Sequence, residues 1–197
     1  MKSRYLVLIV IVGLILVIGG CGCGRYNTMV TQDENVTAKW NNVQSDYQRR
    51  ADLIPNLVNT VKGAANFEQE TLTQVIEARA KATSVNINAD QLTPENMQQF
   101  QAAQGELNGA LSRLLVSVER YPELKANQNF QDLQKQLEGT ENRIKVSRND
   151  FNTAVQQYNS TVRQFPNNIF AGMFGFERRT GFAAEAGAQS APDVNFE

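Results

Sequence analysis

The sequence predicts an all-α protein, an elongated antiparallel bundle of long helices preceded by an N-terminal membrane-anchoring helix. Three observations predict it. Apolar residues recur in a 3-4 helical rhythm over two long stretches, at gaps of three and four over 36–65 and of three, four and seven over 130–165. No stretch combines sustained period-two alternation with β-branched enrichment, so a sheet is not expected. A charge-free apolar run opens the chain, at a length that suits a bilayer. Composition narrows the chemistry further. Lys and Arg total 19 against 20 Asp and Glu, a formal net charge of -1, so no summed field draws the chain to nucleic acid. With no histidine, and with Cys21 and Cys23 as the two cysteines, an ordinary zinc site and any triad that needs an imidazole are excluded. Carboxylate pairs, Ser-Lys chemistry and a carboxylate cage for a hard cation remain in principle, without a supporting motif.

Taken in order, the first element follows Lys2 and Arg4. The apolar run extends from Tyr5 to Ile18 and closes with Gly19, Gly20, Cys21, Gly22, Cys23 and Gly24 before Arg25. Counted to Cys23 it is about 19 residues, near the roughly 20 that cross a bilayer as a helix. A transmembrane anchor fits that length. A lipoprotein signal also fits: Ile18-Gly19-Gly20-Cys21 is similar to a lipobox, which makes Cys21 the candidate lipidation site after removal of residues 1–20. An ordinary secretory peptide is the third reading. The basic residues precede the run, so the positive-inside bias favours an extracytoplasmic body in a bacterial membrane, single-pass or lipid-anchored. Residues 1–25 are therefore assigned to the anchor.

From Val36 the stripe Val36, Trp40, Val43, Tyr47, Ala51, Ile54, Val58, Val61 and Ala65 predicts a helix far longer than three turns. Pro55 lies inside it and predicts a kink, or a break with Asp52 capping the second piece. Leu72, Val75, Ile76 and Ala80 carry the period to about Thr83. After the polar stretch Ser84–Gln91, Thr93-Pro94-Glu95 reads as an N-cap, a first-turn proline and a dipole-matching acid. The next stripe is Met97, Phe100, Ala103, Leu107, Leu111, Leu114, Leu115 and Val118, with Pro122 ending the helix after Tyr121. Phe130, Leu133, Leu137, Ile144, Phe151, Val155, Tyr158, Val162 and Phe165 then mark the last long helix, stopped by Pro166.

Past Phe165 the rhythm dissolves. Ile169, Phe170, Met173, Phe174 and Phe176, with Gly172 and Gly175, are too short and glycine-rich a segment for another bundle helix. They either pack over the bundle end or form an exposed apolar patch that meets lipid or a partner. Residues 26–176 are assigned to the bundle. Residues 177–197 are polar and small, and are expected to be a disordered tail.

Three blocks carry a family resemblance. RRADLIPNLVNTVKG at 49–63, YPELKANQNFQDLQKQLEGTENRI at 121–144 and YNSTVRQFP at 158–166 resemble, in order and separation, the signature blocks of the LemA family of bacterial membrane proteins. Tyr26-Asn27 matches as well. The resemblance covers most of 26–176 and implies a LemA-like bundle behind a transmembrane helix. It implies no catalytic residue and no cofactor. Family members often have a tyrosine and soon afterwards a histidine past the lysine-glycine pair, where this chain has Ala64 and Phe67.

Candidate polar residues each have a plain structural reading. Arg49, Arg50 and Asp52 are the densest charges of the first block. The two arginines point different ways on a helix, so at most one faces a groove, where it would bind an anion or pair across the bundle. Glu138, Glu141, Arg143, Lys145 and Arg148 form a mixed charged face. Asn56, Asn59, Asn142, Asn152 and Asn159 flank apolar stripes and would fix helix register if they point inward. The resulting expectation is a non-catalytic, membrane-anchored scaffold or adaptor. Its partners would be membrane lipid, through the anchor, and a protein or a second copy, through helical faces. No catalytic, cofactor-binding or metal residue is assigned. The alternatives are membrane remodelling through residues 169–176, and an enzyme of unknown class, which would require turnover that disappears when Glu141 or Asp52 is replaced by its amide.

Overall fold

The computed structural model describes residues 2–63 and 67–183, with side chains from Gly22 onward in the first of these stretches. It is all-helical among the described residues: α1 (Lys2–Lys62), α2 (Gln69–Ser84), α3 (Pro94–Val118), the single turn α4 (Pro122–Lys125), α5 (Gln128–Arg163) and α6 (Asn167–Phe174). Cross-helix pairs fix the directions. Lys39 bonds Asp150 and Arg50 bonds Glu141, so α1 and α5 run antiparallel. Glu68 pairs with Arg120 and Lys81 with Glu106, so α2 and α3 do the same.

The stripes bury as the 3-4 spacing requires. Met29, Val36, Trp40, Val43, Tyr47 and Ala51 of α1 face inward, followed by Ile54, Leu57, Val58 and Val61. On α5, Phe130, Leu137, Ile144, Phe151 and Tyr158 recur at every seventh position and are all buried. The alternate positions Thr140 and Ser147 are buried too, and their hydroxyls donate to the Gln136 and Ile144 carbonyls of their own helix. Two apolar clusters result. One surrounds Trp40, Phe100 and Phe151; the other joins Ile54, Leu57, Leu72, Leu107 and Leu114. The helix starts follow local rules: Thr93 Oγ1 accepts from the Asn96 N–H ahead of Pro94, and Asn127 Oδ1 accepts from Asn129 and Phe130.

Several expectations change. α1 does not break at Pro55, and Asp52 caps nothing; its carboxylate accepts from Gln48 one turn back. The missing proline N–H leaves the Ala51 carbonyl without its intrahelical donor. Arg79 of α2 supplies the substitute, its Nε donating to Ala51 O at 2.7 Å. On α2 the inward face is Leu72, Val75, Ala78 and Ala82, while Ile76 and Ala80 are exposed. Pro122 opens the turn α4 rather than ending α3, which stops at Val118. Phe165 lies beyond the end of α5 and is 81% exposed. Residues 167–174 do form a helix, short and half-seated: Ala171 is buried and Phe170 and Phe176 pack on the core, whereas Ile169, Met173 and Phe174 remain exposed.

The expectation of a disordered tail from Glu177 is corrected for residues 177–183, because Phe182 lies 8% exposed in the Trp40 cluster. Residues 184–197 lie outside the described residues. So does the anchor expectation: the run Tyr5–Ile18 and Cys21 belong to the part of α1 whose side chains are not described. Among the described residues no helix is long and apolar enough to cross a membrane.

Candidate functional site

Arg50 is the one arginine of the 49–50 pair that turns inward, buried to 3% exposure while Arg49 is exposed. Its guanidinium ties three helices together. Nη1 donates to Glu141 Oε2 of α5 at 3.0 Å, and Nη2 donates to Gln104 Oε1 of α3 at 2.7 Å. Gln104 passes the connection on by donating to the Ala82 carbonyl of α2. The guanidinium carbon stands 5.0 Å from the centre of the Tyr47 ring, and Nε has no hydrogen-bond partner. Burial pushes the Tyr47 phenol above its usual range, an effect reduced by the positive charges of Arg148 and Arg50. A cleft of about 360 Å³ opens beside this node, lined by Tyr47, Arg148, Gln98 and Asn108 among others. The arrangement is a cross-brace whose charges are already partnered within the bundle.

A second polar assembly lies along α5, α1 and the C-terminal segment. Residues 176–183 have no regular secondary structure, and their backbone is held by side chains. Asn159 donates to the Arg179 carbonyl at 2.8 Å and accepts from the Arg179 N–H at 2.9 Å. Asn152 does the same for Phe182, at 3.4 and 2.8 Å. Each asparagine thus closes a ring with one residue's main chain, as a neighbouring strand would. Arg179 forms a forked pair with Asp33 of α1, Nε to Oδ1 and Nη2 to Oδ2, both at 2.9 Å. That bond raises its pKa. Phe182 enters a socket of Trp40, Phe100 and Phe151, with ring centres 5.7–6.4 Å away, and the Arg148 guanidinium covers its other face at 4.6 Å.

The other singled-out residues do not converge. Asn56, Asn59 and Asn142 are exposed, as are Glu138, Arg143 and Lys145. Asn152 and Asn159 hold the C-terminal segment rather than helix register. Glu141 and Asp52 are separately engaged, by Arg50 and Gln48. Among the described residues no group of three His, Cys, Asp or Glu side chains is close enough to share a metal ion. Sequence reasoning missed Asp33, Arg79, Gln104, Arg179 and Phe182. One signal was present: Asn152 and Asn159 stand seven residues apart, on one face of a helix.

Comparison with known proteins places this framework. A family model described as the LemA family matches residues 39–196. Magnetosome protein MamQ 2 of Paramagnetospirillum magneticum is 29% identical over 175 residues, covering 80% of this chain and 64% of that protein. Magnetosome protein MamQ of Magnetospirillum gryphiswaldense is 27% identical over 171 residues, with 78% and 63% covered. Protein LemA of Metamycoplasma hominis is 25% identical over 149 residues, with 75% and 64% covered. The chain therefore spans a little under two thirds of the length of these relatives. With the family match reaching over most of the bundle and through the C-terminal segment, the chain belongs to the LemA family.

Proposed function

We propose that this chain is a non-catalytic helical scaffold or adaptor, held at a bacterial membrane by its N-terminal segment with the bundle on the extracytoplasmic side. The observation that carries the reading is the Arg50 node. The most deeply buried charge of the described residues is consumed in joining α1, α3 and α5, so it stiffens a surface instead of serving a reactive centre. Long antiparallel helices offer grooves suited to protein partners. The charge-free run Tyr5–Ile18 supports the anchor, and a protein described as a magnetosome component among the relatives is in keeping with a membrane setting. Site-directed crosslinking of the full chain in its native membranes tests this. Reproducible crosslinks from groove positions to a protein or to a second copy are expected; their absence from every position would refute the scaffold reading. Turnover of any substrate that is lost on Glu141→Gln or Asp52→Asn would refute its non-catalytic part.

The exposed residues Ile169, Met173 and Phe174, with Phe165 beside them, favour a second reading, a lipid-facing patch that remodels the membrane. Replacing Ile169 and Met173 by serine should then weaken deformation of liposomes carrying the full chain. Unchanged vesicle shape would remove this reading.

A further inference from the structure

The C-terminal segment is bound by its own bundle in the way that a receptor binds a peptide. The two asparagine clips contact main chain and accept any residue, whereas three other contacts select. Asp33 takes an arginine through both carboxylate oxygens. Asn152 passes so close to Gly181 that a Cβ there would stand 2.7 Å from its Oδ1, so any larger residue would have to push aside the side chain that holds Phe182, which favours glycine. The socket beside Trp40 takes an aromatic ring. The spacings agree as well. Seven helical residues from Asn152 to Asn159 rise about 10.5 Å, and three extended residues from Arg179 to Phe182 cover about 10 Å, running antiparallel to α5. Main-chain bonds for affinity, with pockets for alternate side chains, are how extended peptides are recognised elsewhere.

Open space adjoins the segment at both ends. A cleft of about 610 Å³ lies against residues 176–180, and the 360 Å³ cleft beside Arg50 begins at Ala183. Lifting the segment would join them through the Phe182 socket into one groove.

We propose that the groove along α1 and α5 is a recognition site for extended peptides of the pattern Arg-x-Gly-Phe, with residues 179–182 as an internal ligand that a partner's segment of the same chemistry displaces. This deepens the adaptor reading by naming the chemistry of the partner. Its failure would leave crosslinks from other faces intact, so the two ideas fall separately. A covalently tethered ligand acts at an effective concentration on the order of millimolar, so the unmodified chain resists displacement until a partner is itself concentrated nearby.

The test uses a fluorescent synthetic peptide of residues 177–183 and the full chain carrying Arg179→Ala and Phe182→Ala, which vacates the groove. Saturable binding is expected, at least 10-fold tighter than to the unmodified chain. Adding Asp33→Asn or Asn152→Ala to the vacated chain should weaken it 10-fold or more, as should alanine in place of the peptide's glycine. No saturable binding to a vacated chain that keeps its helical circular dichroism overturns the proposal, and so does binding indifferent to the glycine. If the double variant does not fold, hydrogen exchange on the unmodified protein decides. The Arg179 and Phe182 amides should open at least 100-fold more often than those of central α5, and equal protection would make the segment a fixed part of the fold. Dimerisation of the unmodified chain that disappears on Arg179→Ala would identify the displacing segment as that of a second copy.

Discussion

Pro55 and Arg79 form a coupled pair, and removing Arg79 should be costly only while the proline is present. In α1 the Ala51 carbonyl would ordinarily accept from residue 55; proline has no N–H, and Arg79 Nε takes its place at 2.7 Å. Ala51 is 3% exposed, so water does not readily replace a lost donor. A hydrogen bond from a charged donor is worth about 1.5–3 kcal/mol, and an orphaned buried carbonyl costs about 1–3. Arg79 is half-buried, which places Arg79→Ala near 2 kcal/mol. For a chain of this size that is a fall in Tm of about 4–8 °C. Pro55→Ala restores the backbone donor, and in that background Arg79→Ala should cost less than about 1 kcal/mol, a coupling of at least ~1 kcal/mol. Urea unfolding of the four proteins, followed at 222 nm, measures the cycle. Equal costs in both backgrounds, within about 0.5 kcal/mol, would refute the account.

Other outcomes follow from the same geometry. Arg50→Lys should lower stability by about 2 kcal/mol in urea unfolding, because an ammonium cannot span Glu141 and Gln104 while covering Tyr47. Trp40 is the only tryptophan in the chain, so Phe182→Ala should change its emission and cost roughly 3 kcal/mol, while Gly181→Ala should shift the emission the same way at a smaller cost. Burial raises the pKa of Tyr47 and Tyr158 above the model-peptide value of 10.0. The fold prefers the neutral phenols, so their contribution is whole below pH 10 and is lost as pH climbs through the raised values. Urea midpoints should therefore fall above pH 10, and fall less steeply for Tyr47→Phe.

The helical framework was legible in the sequence because it rests on spacing alone. Val36 to Val61 and Phe130 to Val162 bury where a 3-4 rhythm must put them, and Thr93-Pro94 starts a helix through its own side chain. What escaped prediction depends on partners distant in sequence. Pro55 predicts a kink or a break in α1, and the break does not occur; nothing local reveals that Arg79, 28 residues from Ala51, serves the freed carbonyl. Glu177 onward looked unable to order itself, which is sound for an isolated segment. It fails for 177–183 because Asp33 and two asparagines supply the bonds from 20 to 146 residues off. Helix geometry lets at most one of Arg49 and Arg50 face a groove without saying which, and Gln104, the residue that joins Arg50 to α3, carries no signal that distinguishes it from its neighbours Gln101 and Gln98.

The unbroken course of α1 has a mechanical meaning. Its 61 residues span about 90 Å, and the same helix carries Asp33, Trp40 and Arg50. A helix has no swivel, so twisting or tilting its leading end rotates the wall of the groove and the brace behind it as a single shaft. Orientation is thereby inherited from wherever residues 2–21 are held. Inserting a short glycine linker at Gly24, where an added Cβ would meet nothing within 4 Å, would uncouple the two while leaving the bundle itself undisturbed.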